Sequence, residues 1–354
     1  MGSDNHSERR SPVYWSLLRR LSAILMALPL LFLLSCPCAA EDASFLVVDD
    51  ATVSIALPLD YKEGGRPPRK DGWVMDGKAP VSYRDSTLEA TFSTDSITHK
   101  LVSGNHRGTT VTDEIWVVRI KIKHATQLRT AVSYDSYKNA GKANPVKIAA
   151  GKNAVIAMNG DYFKCENTDA GYVVRQGELI RDATHNARGL VFDTLLIDSE
   201  GDFHAVEAAV TETIDAYVRE NLTPLGRTVM DSFNIGPVLV RNGEVQDVAH
   251  SEVTKHGGRE GMYQWSTPIQ RICIAQTGPL EYAIVAANAE GARKSGFTMA
   301  EFAQIVAERV PDAILAYNLD GGGSAQIVAN GARVFHNKTM RHIPDIIYFA
   351  SAEE

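Results

Sequence analysis

The 354-residue sequence predicts an α+β fold: mixed, mostly antiparallel β-sheets with few flanking helices, preceded by a small β-rich segment. Three observations lead there. Short apolar runs of strand length recur throughout, several of them closed by Asn-Gly or Gly-Pro turns. Only residues 298–310 carry both a clear helix start and a clear helix stop. The strands do not alternate with helices as a doubly wound parallel sheet requires, and there is no internal repeat.

The chain opens on a targeting pattern. Arg9, Arg10, Arg19 and Arg20 precede an uncharged apolar run, residues 21–34, which ends in Ser35-Cys36-Pro37-Cys38-Ala39-Ala40. A basic region, an apolar centre and small closing residues read as an export signal or N-terminal anchor over residues 1–40. The run is short of the roughly 20 residues that span a bilayer comfortably, and it is the only membrane contact the sequence suggests. Leu33-Leu34-Ser35-Cys36 also resembles a bacterial lipoprotein box, which would leave Cys36 lipidated. Secretion, anchoring and lipidation stay open, and each places the body in the cell envelope or outside the cell. The whole chain carries −7; four arginines and two acids leave with residues 1–40, so the body carries −9. An acidic body without basic runs argues against nucleic acid as a partner.

Residues 41–111 read as a β-rich lead-in, with strand-like runs at 45–48 and 53–57 and a Gly/Pro-rich loop from Gly64 to Gly72. The main domain is expected over residues 112–354. Residues 115–122 end in the alternation of a half-buried strand. Residues 155–158 are an apolar run too short for a helix, followed by Asn159-Gly160-Asp161-Tyr162-Phe163. A hairpin is expected at 172–180, a strand at 189–197, and a tight hairpin at 238–245 around Asn242-Gly243, where both central residues must tolerate positive φ. Residues 271–275 and 282–287 are two more strands. Thr298 and Glu301 form a capping box, Phe302, Ile305 and Val306 share one helix face, and Pro311 stops the helix. A strand at 313–319 then delivers Asn318-Leu319-Asp320-Gly321-Gly322-Gly323-Ser324. A strand at 326–329, an Asn330-Gly331 turn, Val334-Phe335 and a final strand at 346–350 complete the chain.

Three consecutive glycines between apolar runs mark a sharp turn or a close approach, here with an acid before them and a hydroxyl after. Their amides can converge on an anion. The nucleotide-binding versions fail, because no Lys-Ser/Thr follows the glycines and no G-x-G-x-x-G opens a helix. Ser324 is a candidate nucleophile with His336 or His342 as base, although the second glycine of a nucleophile elbow is missing. A purely structural turn capped by Asp320 is the bland alternative. Asp161 and Asp320 can together be imagined holding a divalent cation such as Ca or Mg. Cys165 and Cys273 can pair in an exported protein.

The ordered blocks Asn159-Gly160-x-Tyr162-Phe163, Ile235-Gly236-Pro237-Val238-Leu239-Val240-x-Asn242-Gly243, Arg271, Gly296-x-Thr298, Asn318 to Ser324, and Arg341 resemble the phosphodiester glycosidase family. Two places depart from its pattern: Asp161 stands where the family usually has glycine, and residues 288–293 replace an Asp-Gly-Arg-like turn. The resemblance implies an exported hydrolase that cleaves the glycosidic bond of a sugar-1-phosphodiester of the N-acetylglucosamine type, in an envelope polymer, an exopolysaccharide or a glycan. It implies Asp320 at the anomeric carbon, with Asn159, Asn318 and Ser324 as catalytic companions. Arg271, Arg341, Asp161 and the amides of Gly321, Gly322 and Gly323 would hold the substrate and its phosphate. A weakly basic phosphate leaving group needs less protonation than that of an ordinary glycosidase, so charge stabilisation becomes the main task. The alternative is a non-catalytic glycan-binding module on the same fold.

Overall fold

The computed structural model describes residues 53–135, 141–161, 171–183, 192–209, 211–248, 265–289, 294–338 and 340–354. The chain divides into two compact units, Met1–Asp50 and Ala51–Glu354, and all the described residues belong to the second. The export signal with Cys36, the aromatics Tyr162 and Phe163, and Cys165 lie outside the described residues.

The expected α+β class is what the described residues show. One nine-stranded sheet is built from β1 (Trp73–Asp76), β2 (Ala79–Arg84), β3 (Leu88–Lys100), β4 (Thr110–Ile122), β12 (Val238–Arg241), β13 (Glu244–Val245), β14 (Arg271–Gly278), β15 (Glu281–Ala287) and β16 (Leu315–Asn318), in the order β1-β2-β3-β4-β15-β14-β16-β12-β13. A five-stranded sheet is built from β5 (Leu128–Val132), β6 (Ala154–Asn159), β17 (Ile327–Ala329), β18 (Ala332–Phe335) and β19 (Asp345–Ala350), in the order β18-β17-β6-β19-β5. Every neighbouring pair in both sheets is antiparallel. The hairpin β7 (Gly171–Arg175) and β8 (Glu178–Ala183), and a sheet of β9 (Phe192–Asp198), β10 (Phe203–Ala209) and β11 (Val229–Phe233), complete the strands.

The residues read as a lead-in supply β1 to β3, which continue the ladder of β4 from Leu88↔Ile122 to Lys100↔Thr110. Residues 53–57, expected as a strand, make only the bridge Ile55↔Glu353, since Pro58 has no N–H to extend it.

The two large sheets share one apolar core. On β19, Ile347 and Phe349 join Ile156 and Met158 of β6, Val118 and Ile120 of β4, Ile274 of β14 and Ile284 of β15. Ile346 and Tyr348 face the other way, onto Leu59, Ile148 and Ala149. A strand covered on both faces reads as a continuous apolar run, which is why 346–350 shows no alternation. Ile148 and Ala149 lie on helix α1 (Pro145–Gly151), which starts with Asn144 Oδ1 accepting from Val146 N at 3.1 Å and proline in the first turn. Helix α2 (Thr211–Tyr217) flanks β10. Helix α3 (Met299–Arg309) has the expected capping box: Thr298 N donates to Glu301 Oε2 at 2.9 Å and Glu301 N to Thr298 Oγ1 at 3.3 Å. Its Phe302, Ile305 and Val306 are buried in the main core. Among the described residues no helix is long and apolar enough to cross a membrane.

Candidate active site

The triglycine turn is the crossing between the two large sheets, because β16 belongs to the nine-stranded sheet and β17 to the five-stranded one. Its glycines serve different ends. Gly321 has an ordinary φ of −92°, but a Cβ there would lie 2.7 Å from the main-chain oxygen of Gln270. Gly322 has φ +57°, the left-handed region that glycine enters without penalty. Its N–H donates to Gln270 O at 2.9 Å, so one of the three amides expected to face an anion is already used inside the fold.

Asparagines fasten the turn. Asn159, at the end of β6, donates through Nδ2 to Asp320 O at 2.9 Å and accepts at Oδ1 from Gln326 N at 3.2 Å. Asn318 donates through Nδ2 to Gly236 O at 2.7 Å. The blocks around residues 159, 236 and 320, far apart in the chain, therefore meet in space. Arg341 is drawn in by its backbone: its N–H donates to Gly323 O at 3.0 Å and its carbonyl accepts from Gln326 Nε2 at 2.9 Å. The Arg341 side chain is exposed, with Nη2 3.9 Å from where a Cβ on Gly322 would stand. Asp320 itself is buried, at 9% exposure.

A buried ion network lies two residues beyond Asn159. Arg175 Nη2 bonds Asp345 Oδ2 at 2.7 Å and reaches Asp161 Oδ2 at 3.4 Å. Asp161 N donates to Asp345 Oδ1 at 3.0 Å, and Asn234 N donates to Asp161 Oδ1 at 3.2 Å. Burial raises the Asp345 carboxyl above the usual carboxylate range, with Arg175 opposing the shift and Asp161 adding to it. Gly160 is a glycine because a Cβ would stand 2.6 Å from Asp345 Oδ1.

Asp345, Arg175, Asn234 and Gln326 are not among the residues the sequence singles out. Arg175 looks like a hairpin arginine, and nothing local ties it to a carboxylate 170 positions away. The only local hint for Asp345 is an acid that opens an otherwise apolar strand.

Other expected site residues sit differently. Arg271 starts β14 and is 2% exposed; Nε donates to Phe297 O at 3.0 Å and Nη2 to Thr267 O at 2.9 Å. Burial pushes its guanidinium down to about 9, with Glu301 pulling the other way. The register Cys273↔Asn318 runs β14 alongside the turn, so the backbone of Arg271 flanks Asp320 while its side chain holds two carbonyls. Ser324 Oγ is buried and has no hydrogen-bond partner among the described residues, and His336 Nδ1 lies 3.2 Å from Asn337 O. The cation imagined between Asp161 and Asp320 finds an unsuitable donor set, because Asp161 faces a guanidinium. Among the described residues no group of three or more His, Cys, Asp or Glu can hold a metal. Cys273 is a free, buried thiol, and its candidate partner Cys165 lies outside the described residues. Asn318 Oδ1, Gln270 Oε1 and Gln326 Oε1 are likewise buried without a hydrogen-bond partner among the described residues. A buried polar atom left unpaired costs roughly 1–3 kcal/mol.

Among solved structures the chain is similar to the catalytic domain of zebrafish N-acetylglucosamine-1-phosphodiester α-N-acetylglucosaminidase, auto-inhibited by its pro-peptide. The TM-score is 0.55 and the identity 14%, over 75% of this chain and 88% of that chain. A hypothetical protein from Synechocystis is similar at a TM-score of 0.44 and 14% identity, over 76% of each chain. No curated protein matches. Likeness at these identities speaks for the fold alone. The model of the phosphodiester glycosidase family, however, matches residues 152–350, more than half of the chain, a span that contains Asn159, the triglycine turn and Arg341. By that match, the chain belongs to the phosphodiester glycosidase family.

Proposed function

We propose that this protein hydrolyses the glycosidic bond of a sugar-1-phosphodiester, of the kind in which N-acetylglucosamine is linked through phosphate to a larger molecule. The observation that carries the reading is the Asn159 grip on Asp320 O at 2.9 Å, which fixes an acid beside three glycines at the crossing of two sheets. Breaking such a bond puts positive charge on the anomeric carbon and negative charge on a departing phosphate. Asp320 answers the first charge as nucleophile, base or electrostatic partner. Arg341, exposed beside Gly322, answers the second, since a guanidinium fork matches phosphate oxygens. Arg271 is proposed to act on the phosphate side as well, chiefly by holding the segments that flank the turn. Asn318 and Ser324, with buried oxygens that have no partner among the described residues, are proposed to meet sugar hydroxyls. The export pattern of residues 1–40 supports a reaction in the envelope or outside the cell, on a polymer or glycan there.

The test is release of free sugar from an N-acetylglucosamine-1-phosphodiester, followed by a coupled assay on the purified protein and on Asp320→Asn and Arg341→Ala. Release that disappears in the first variant and shows a raised KM in the second supports both roles. A folded protein that releases no sugar from a panel of sugar-1-phosphodiesters is instead a glycan-binding module.

A further inference from the structure

A cavity of about 920 Å³ lies along β5, the edge strand of the five-stranded sheet, between the β7–β8 hairpin and residues 61–63. None of the residues that line it belongs to the triglycine turn. Arg175 lines the cavity, and its Nη2 is the atom that bonds Asp345 at 2.7 Å. A molecule seated in the cavity therefore touches the residue whose buried guanidinium bonds Asp345 and reaches Asp161.

The lining states what kind of molecule fits. Four basic residues, Lys62, Lys152, Arg175 and Arg181, line it with three acids, Glu63, Asp135 and Glu178; Arg175 is taken up by Asp345 behind the wall, which leaves three of each sign, and Lys152 Nζ already sits 2.8 Å from Asp135 Oδ1. Balanced signs favour neither an anion nor a cation; they present donors and acceptors side by side, which is what a polyol needs. Apolar surface is interleaved with them. The Tyr61 ring is held by the Arg129 guanidinium 5.0 Å from its centroid, and its hydroxyl, pushed up to about 12 by burial, stays neutral. Leu179, 52% exposed, offers a second apolar face. The wall is fixed in advance: Arg129 Nη2 donates to Asp60 O at 2.8 Å and to Glu63 O at 2.6 Å, so loop ordering costs little on binding. The volume is near the top of the roughly 300–1,000 Å³ range of ligand pockets, more than one small ion requires.

From this we infer that the cavity is a subsite for neutral sugar units, an oligosaccharide segment carried by the substrate beyond the bond that is cut. The inference rests on the proposed reaction for its place in catalysis and on the cavity alone for its ligand.

The experiment uses the purified full chain and its double variant Leu179→Ala/Arg181→Ala, which changes two residues of the hairpin wall and none of the triglycine turn. Neutral tetrasaccharides of N-acetylglucosamine, glucose and mannose are titrated by calorimetry, with inorganic phosphate as competitor. Hydrolysis of a methyl N-acetylglucosamine-1-phosphodiester is followed in parallel. The expected result is binding of at least one tetrasaccharide, weakened tenfold or more in the variant and unmoved by millimolar phosphate, with unchanged hydrolysis of the methyl substrate. Absence of binding by all three, binding undiminished in the variant, or displacement by phosphate overturns the subsite. Tetrasaccharide binding without any hydrolysis overturns the reaction and leaves the subsite standing; hydrolysis without binding does the reverse.

Discussion

Asn159 Nδ2 holds the main-chain carbonyl of Asp320 at 2.9 Å, while its Oδ1 takes the Gln326 N–H at 3.2 Å. One side chain at the end of β6 thus grips the triglycine turn on both sides. Asn159→Ala strands two buried backbone groups, each worth about 1–3 kcal/mol when left unmade. The variant should unfold at lower urea and lose kcat on a sugar-1-phosphodiester more than it gains in KM. Lost stability with kcat intact would make the grip structural only.

Gly321→Ala should be worse than Gly331→Ala, although backbone angles alone suggest the opposite order. Gly331 has φ +69° and no atom within 4 Å of where a Cβ would stand, so alanine there costs about 1–2 kcal/mol of left-handed strain. Gly321 has an unstrained φ of −92°, but its Cβ would meet the Gln270 backbone oxygen at 2.7 Å, so the backbone at the turn or at Gln270 must shift. Thermal unfolding and turnover of the two variants decide the order. Equal turnover would show that the close approach at Gln270 does not position the site.

Arg175→Met should destabilise by about 3–5 kcal/mol, because it leaves Asp161 and Asp345 buried side by side without their cation. Adding Asp345→Asn to that variant removes one of the two charges and should restore part of the loss. Denaturant midpoints for the two single variants and the double variant measure the coupling. Strict additivity would mean that the three residues do not act as a network.

What the sequence makes legible is what a few adjacent residues determine. Asn242-Gly243 takes φ of +51° and +77°, as its hairpin needs, and Thr298 with Glu301 caps α3. The triglycine turn announces itself in the same way. Helix α1 carries a local signal too, Asn144 before Pro145, but spans only seven residues. The rest depends on burial and on partners distant in the chain. Arg271 reads as an arginine at the start of a strand until the fold buries it and turns its guanidinium to Phe297 O and Thr267 O, and Arg175 and Asp345 become a pair only when β7 and β19 are packed together. No local pattern encodes either.

Asp231 should make the protein more stable in mild acid than at neutral pH, relative to a variant that cannot ionise there. It is 1% exposed; Oδ1 accepts from Thr130 Oγ1 at 2.6 Å and from Gln176 N at 3.1 Å. Burial pushes its carboxyl up to about 6, against the opposing pull of Thr130 first and then of Arg175, Gln176 and Arg129. In the unfolded chain the same group titrates near 3.9. Between about pH 4 and 6 the folded state therefore holds more protons than the unfolded state, and stability falls as pH rises. The contribution is fully present below about pH 4 and is lost as pH passes through 6. The shift corresponds to roughly 2–3 kcal/mol. Asp231→Asn keeps the Oδ1 acceptor for Thr130 and Gln176 and removes the ionisation. Urea denaturation of both proteins at half-unit steps from pH 4 to 7.5 gives the difference curve, in which other titrating groups cancel. The variant should gain on the wild type steadily from pH 4 to about 6.5 and then run parallel to it. A flat difference curve would place the Asp231 carboxyl at an ordinary value and deny that its burial carries any cost of charge.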